Sequence, residues 1–299
     1  MKRAVSISIG SSKRDKAVEL ELLGERVRIE RIGTDGDMPA AARLYAELDG
    51  KVDAFGVGGA DLGLLVDGKW YRLYSVESLI RDVHKTPVVD GAGLKNTLEG
   101  SLAQFIDQRI PNAVPVRRVL LTSGADRWGM SASFSKAGYE CVFGDLMFGL
   151  GIPIPIRSAG AVKRLAALVM PIVGRLPFPW IYPIGEKQET RVPKWGAYYA
   201  WAGVVAGDAH YVKRHMPDRL DGKVIATNTT TEQDVELFRS AGVSYLVTST
   251  PRLEGRSFGT NMMEAALVAV AGKGRPLTHP ELSEMLSRLA MEPQLQKLN

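Results

Sequence analysis

Residues 116–145, VRRVLLTSGADRWGMSASFSKAGYECVFGD, constrain the fold more than any other stretch of the chain. VRRVLLTS is a short run of Val and Leu, the composition of a buried strand. GADRWG is a glycine-bounded turn. MSASFSKAG has helix length and ends at Gly138, a residue suited to a left-handed C-cap. YECVFGD is the next strand and ends on an acid. Strand, glycine loop, helix and strand within about 30 residues predict a βαβ unit. Ligands of such units bind beyond the C-terminal ends of the strands, where a helix N-terminus attracts anions.

The loop invites comparison with the dinucleotide fingerprint, G-x-G-x-x-G with an acid about 20 residues on for the ribose hydroxyls. Gly124 and Gly129 match the outer glycines and Asp145 matches the acid, but Asp126 stands where the middle glycine belongs. A carboxylate there repels a pyrophosphate, and Arg127 beside it offsets that charge. The candidate cofactor-binding residues are Ser123, Gly124, Arg127, Gly129 and Asp145. An ordinary βαβ turn with a salt-bridged loop is the alternative.

The chain has 299 residues, room for two domains and a substantial core. Its net charge of +5 is spread over both signs with no long basic run, so nucleic acid is not the expected partner. The excess suits a small anionic substrate or cofactor. The single cysteine, Cys141, falls in a predicted strand and reads as a small core residue, and a disulfide framework is excluded. MKRAVSISIG has no apolar region adequate for a secretory signal, and Arg157, Lys163, Arg164 and Arg175 divide the most apolar stretch. The uncharged runs fall short of the roughly 20 residues of a spanning helix. A cytoplasmic protein without a transmembrane segment is expected.

From the N-terminus, AVSISIG alternates as a strand and leads to a polar loop, Ser11, Ser12, Lys13 and Arg14, suited to a solvated turn or an anion. VELELLGERVRIERIG predicts a hairpin centred on Gly24 and Glu25. A helix capped by Asp37 follows, with Pro39 in its first turn and Gly50 beyond its end. KVDAFGVGGADLGLLV is a strand entering a glycine-rich loop that ends at Asp61, where backbone approaches closely or a tight connection is made. A second hairpin turns at Asp67 and Gly68.

In TPVVDGAGLKNTLEG a short strand runs into Asp90, and Lys95, Asn96 and Thr97 open a helix. Lysine and aspartate at a strand end and helix start suit proton transfer or the gripping of hydroxyls and carboxylates. Lys95 and Asp90 are candidate catalytic residues, and Asn96 and Thr97 candidate substrate ligands. PNAVP then breaks the chain.

Residues 148–201 are rich in proline and aromatics. A lid, a homodimer contact, a membrane-surface patch and an internal crossover all fit them. Glu186, Lys187 and Gln188 add polar groups. Asp208 at a strand end is a candidate acid–base group or polar ligand, with His210 beside it. His210 and His215 are five apart, a poor spacing for sharing a metal, and none is expected. Two further strands end in hydroxyl-rich loops at Thr227–Asn228 and Thr248–Thr250. Arg256 and Asn261 precede a helix whose last charge is Glu264, and both are candidate substrate ligands.

The expected fold is α/β in two domains. A mixed α/β domain with hairpins covers 1–112. A Rossmann-like, mostly parallel sheet with helices on both faces covers 115–273, and a helical tail covers 274–299. The segments VVDGAGLKNTLE, FGDLMFGLGIPIPIRS, YPIGEKQE, AGDAHYVKRHMPDRLDGKVI and VTSTPRLEGRSFGTNMMEA resemble a bacterial family labelled quinate 5-dehydrogenase, over almost the entire chain. The resemblance implies NAD- or NADP-dependent oxidation of a ring hydroxyl on a polyhydroxy cyclic acid, related to shikimate dehydrogenation. It implies the two-domain plan and points to Lys95, here in GLKNT. The loop reads SGADRWG where shikimate and quinate dehydrogenases carry a GAGG-type loop. The alternatives are a non-redox nucleotide or sugar-acid binding protein, and a metal-assisted hydrolase built on Asp208 and His210.

Overall fold

The structure is a computed structural model that describes residues 1–181, 191–250 and 258–299, and the backbone of 252–253 and 256–257. Glu186, Lys187 and Gln188, and the side chain of Arg256, lie outside the described residues.

The first sheet forms around β1 (Lys2–Ser8), whose residues from Ala4 onward are all buried, as a central parallel strand requires. β2 (Lys16–Leu22) and β3 (Glu25–Gly33) make the predicted hairpin. Its turn places Leu23 and Gly24 at positive φ, +54° and +86°, the geometry that matches strand twist. α1 (Met38–Leu48) is capped by the Asp37 carboxylate on the Ala40 amide. β4 (Ala54–Gly58) pairs with β1 and runs into a small hairpin, β5 (Gly63–Val66) and β6 (Lys69–Arg72), followed by α2 (Tyr74–Glu77). β7 (Val88–Val89) completes the order β2-β3-β1-β4-β7, parallel except for β2. α3 (Ala92–Glu99) and α4 (Leu102–Arg109) then lead away from it.

The predicted βαβ unit is present as β8 (Arg118–Leu121), α5 (Trp128–Lys136) and β9 (Glu140–Phe143), with the two strands parallel. α6 (Ala159–Val173) and α7 (Phe178–Ile181) follow. Next come α8 (Gly196–Trp201), β10 (Val204–Ala206), α9 (Ala209–His215), β11 (Val224–Thr227), α10 (Glu232–Ser240) and β12 (Tyr245–Thr248). A short hairpin of β13 (Arg252–Leu253) and β14 (Arg256–Ser257) precedes α11 (Thr260–Ala271), α12 (His279–Arg288) and β15 (Gln294–Lys297). The second sheet has the order β15-β12-β11-β10-β8-β9, parallel except for β15. Alternate residues of its strands face opposite cores: Val119, Ala206 and Val224 on one side, Leu120, Val205 and Ile225 on the other. Both faces are therefore covered, as a parallel sheet demands.

The fold is α/β, with the parallel second sheet expected from sequence. Packing does not follow chain order, however. Chain order groups α11 with the second unit, yet it packs on β1, β3 and β4 of the first sheet. α12 packs on α3, and β15 returns to pair with β12, so residues 274–299 contain a strand as well as a helix. The chain thus passes between the sheets three times. An apolar helix declares that it is buried, not which sheet buries it.

Candidate functional site

In the second sheet the winding reverses at β8, which has β9 on one side and β10 on the other. A crevice opens beyond the C-terminal ends of strands at such a switch point. Here it is a cleft of about 1060 Å³ that the first sheet also faces with its strand ends. Gly10 and Ser11 follow β1, Asp35 follows β3, and Gly59 and Asp61 follow β4. Across from them stand Ser123, Asp126 and Arg127 after β8, Asp208 after β10, Asn228 and Thr229 after β11, and Ser249 and Thr250 after β12. Met170, Val173, Phe178 and Ile181 form an apolar wall.

The floor is a network of alternating charges that joins the two sides. The Arg127 guanidinium reaches Glu99 Oε1 of α3 at 2.7 Å, Asp208 Oδ2 at 2.6 Å and, with Nε, Asp126 Oδ2 at 3.2 Å. Lys95 Nζ lies 3.4 Å from Asp126 Oδ1 and 3.8 Å from Asp61 Oδ1. Asn228 Nδ2 donates to Asp208 Oδ2 at 2.8 Å. Burial alone would lower the Lys95 ammonium, but Asp126 and Asp61 outweigh it and hold the pKa above its ordinary value. Burial pushes the Asp126 carboxyl up, and Lys95 and Arg127 outweigh that and hold it down. For Glu99, burial wins over the neighbouring cations and its pKa is raised. Glu99 Oε2 and Ser123 Oγ are buried without a hydrogen-bond partner among the described residues, and both residues line the cleft.

The β8–α5 loop does not fit a dinucleotide. The amides of Gly124 and Ala125 donate to the two oxygens of Asp145, at 3.0 and 2.8 Å. A carboxylate of the chain itself therefore takes the N–H groups that a pyrophosphate would need. The glycines have packing reasons of their own. A Cβ on Gly124 would lie 2.7 Å from Phe143, and one on Gly129 would lie 2.7 Å from the Asn96 carbonyl oxygen, where α3 crosses α5 closely.

Of the candidates, the cleft gathers Lys95, Ser123, Arg127, Asp208, His210 and Asn261. Asp208 caps α9, accepting from the His210 amide at 2.9 Å, while the His210 side chain is exposed. Asn261 Nδ2 donates to Ser6 Oγ at 2.6 Å. Asp90 is not part of the lining: its buried carboxylate accepts from the Leu62 and Ala92 amides and ties the loop after β4 to the start of α3. Asn96 bonds back to the Ala92 carbonyl oxygen, and Thr97 to that of Gly93 and to His279, both away from the cleft. His215 is buried, with Nδ1 at 2.8 Å from the Val192 carbonyl oxygen. Cys141 is a buried strand residue.

Sequence reasoning missed Glu99, although it stands four residues after Lys95 on one helix face, a spacing that signals a shared site. Glu264, the last charge of α11, is buried and lies outside the cleft lining. Its carboxylate accepts from the Leu94 amide at 3.0 Å, and burial pushes its pKa up to about 7.

Among solved structures, the chain is similar to the hetero-hexameric glutamate dehydrogenase from Thermus thermophilus, at 13% identity and TM-score 0.45, over 97% of this chain and 73% of that one. It is also similar to a glucose-galactose binding protein from Geobacillus stearothermophilus, at 10% identity and TM-score 0.38, over 99% and 98%. A third is a putative malic enzyme, at 12% identity and TM-score 0.39, over 86% of this chain and 65% of that one. No curated protein matches the chain. Among the described residues, no helix is long and apolar enough to cross a membrane. Residues 3–90 match the model of a second domain of unknown function, DUF8753. The longer match covers residues 93–298, more than half of the chain, which therefore belongs to the family described as domain of unknown function DUF8754.

Proposed function

We propose that the protein is a non-redox binding protein for a neutral, hydroxyl-rich small molecule, held in the cleft between the two sheets. The observation that carries this reading is the lining. Asp35, Asp61, Glu99, Asp126 and Asp208 face three fixed cations, Lys95, Arg127 and Arg214. That balance complements hydroxyl donors better than the anionic substrate suggested by net charge. Glu99 Oε2 and Ser123 Oγ, unpartnered among the described residues, call for ligand groups that donate or exchange hydrogen bonds. Ser249, Thr250, Thr229 and Asn228 offer more such partners along one rim.

The dehydrogenase reading implied by the quinate 5-dehydrogenase resemblance has less support. NAD and NADP lack a phosphate cradle while Asp145 holds the loop amides. Lys95 lies in the cleft, but its carboxylate neighbours keep it protonated, the opposite of what a lysine base needs. A hydrolytic metal centre on Asp208 is disfavoured too, because Arg127, Asn228 and the His210 amide already engage its oxygens.

Thermal unfolding tests this reading. Neutral pentoses, hexoses and cyclitols, quinate, shikimate and the four nicotinamide cofactors are each added alone, and quinate and shikimate also with each cofactor. A saturable rise of several degrees with a neutral polyol and none with any cofactor is the expected outcome. A rise with a cofactor alone, or with quinate only when a cofactor is present, overturns it.

A further inference from the structure

We propose that the outer face of α6, with the chain entering and leaving it, docks on an anionic membrane surface. Charge is the first ground. From residue 146 to residue 185 the sequence has no Asp or Glu, and its only charged residues are Arg157, Lys163, Arg164 and Arg175. Such a run is exceptional in a chain with 33 acids among its 299 residues.

Exposure is the second ground. Val162, Ala166 and Met170 bury one side of α6, and Met170 lines the cleft. The opposite side carries Arg164, Leu168, Ile172 and, one turn on, Arg175, all exposed, while Lys163 flanks the buried side and bonds Asp67. Leu168 and Ile172 are 74% and 69% exposed, and Trp180 in α7 is 75% exposed. Leu150, Ile152 and Ile154, on the approach to α6, are exposed as well. Large apolar side chains interleaved with cations on one helical face match the chemistry of interfacial membrane binding. The surface potential of anionic lipids attracts the cations, and the leucine, isoleucine and tryptophan side chains enter the headgroup boundary.

The charge pattern also decides between occupants. A two-fold contact with a second copy would set Arg157, Arg164 and Arg175 against their own symmetry mates with no acid in the segment to answer them. Arg157 and Arg164 have no ion-pair partner among the described residues, whereas Lys163 already bonds Asp67. An anionic lipid surface supplies the missing countercharge.

The test is co-sedimentation of the full chain with vesicles of phosphatidylglycerol and phosphatidylcholine, or of phosphatidylcholine alone, at low and high salt. Salt-sensitive binding to the anionic vesicles only is expected. Arg157→Gln with Arg164→Gln should weaken it roughly ten- to thirty-fold. Leu168→Ser, Ile172→Ser and Trp180→Ser together should abolish it, with the unfolding temperature unchanged because these side chains are exposed. Absence of binding to anionic vesicles overturns the proposal, as does binding that neither variant weakens. Dimerisation in sedimentation velocity that the triple variant removes, without vesicle binding, assigns the face to a second copy instead.

Discussion

The two sheets bring the same kind of edge to the cleft, the C-terminal ends of parallel strands, yet they finish those ends differently. The first sheet uses glycine and close backbone approach. A Cβ on Gly56 would lie 2.7 Å from the Asn261 carbonyl oxygen, and one on Gly91 would lie 2.6 Å from the Asn261 amide nitrogen. These contacts set α11 directly on the middle of β4 and just past the end of β7. The second sheet uses charge: Asp126, Arg127 and Asp208 stand at its strand ends and pair with each other and with Lys95 and Glu99 of α3. A contact made by backbone has one geometry. A network of carboxylates and cations can exchange partners, so under the proposed function a ligand would meet adaptable charge on the second side, with Asp35 and Asp61 of the first side beside it.

The largest test of that contrast is Arg127→Ala. It leaves Glu99, Asp126 and Asp208 without the guanidinium that all three share. Breaking one partner out of a buried ion network costs roughly 3–5 kcal/mol, mostly from the uncompensated charges left behind. Denaturant unfolding measures it, and adding Glu99→Ala should recover part of the loss. A cost near zero would mean that the network is not what joins the two sides.

Glu264 separates the sheets by pH. Its pKa is raised from 4.5 to about 7, chiefly by burial in α11, with Asp90 adding to the rise. The folded state therefore binds a proton that the unfolded state releases. The stability this contributes is fully present below about pH 4.5 and is lost as pH rises through 7. A shift of that size corresponds to roughly 3 kcal/mol. The stability of the native chain relative to Glu264→Gln should fall by about that amount between pH 4.5 and 8. Equal pH profiles for the two proteins would show that Glu264 titrates alike in the folded and the unfolded chain.

Local signals were legible in the sequence. The βαβ unit, the hairpin turning at Asp67–Gly68 and the Asp37 cap follow from chain chemistry within a few residues and are present, and the first hairpin is present with its turn at Leu23–Gly24, one residue before the expected Gly24–Glu25. Strand ends rich in Ser, Thr and Asn also marked the right rim of the cleft. What spacing could not reveal is who bonds to whom. Asp145 stands at the distance of a ribose acid, yet it turns back to the amides of its own βαβ loop. Asn96 and Thr97 sit beside Lys95 in sequence, but on a helix neighbours point about 100° apart, and only Lys95 reaches the cleft. The placement of α11 was hidden for a related reason: its partners lie more than 200 residues away, on β1 and β4.

A smaller effect distinguishes glycines used for contact from glycines used for turning. Gly91 has φ +93° and Asn261 against it, so Gly91→Ala meets both backbone strain and a clash, about 2 kcal/mol or more. Gly24 has φ +86° with nothing within 4 Å of where a Cβ would stand, so Gly24→Ala should cost only the strain, about 1 kcal/mol. Equal costs in thermal unfolding would remove close approach as the reason for glycine on the first side.

The smallest expected effect bears most directly on function. Asp145→Ala releases the Gly124 and Ala125 amides, and because the loop is only partly buried, water can replace the carboxylate. The expected loss of stability is about 1 kcal/mol. Binding of a neutral polyol should be unchanged, since Asp145 does not line the cleft. Nicotinamide cofactors should still give no thermal shift, because Asp126 remains in the loop between Lys95 and Arg127 and repels a pyrophosphate. If the native chain binds a cofactor and Asp145→Ala loses it, Asp145 serves a ribose after all. The loop must then open in solution, and the second sheet is a cofactor site rather than a self-paired charge network.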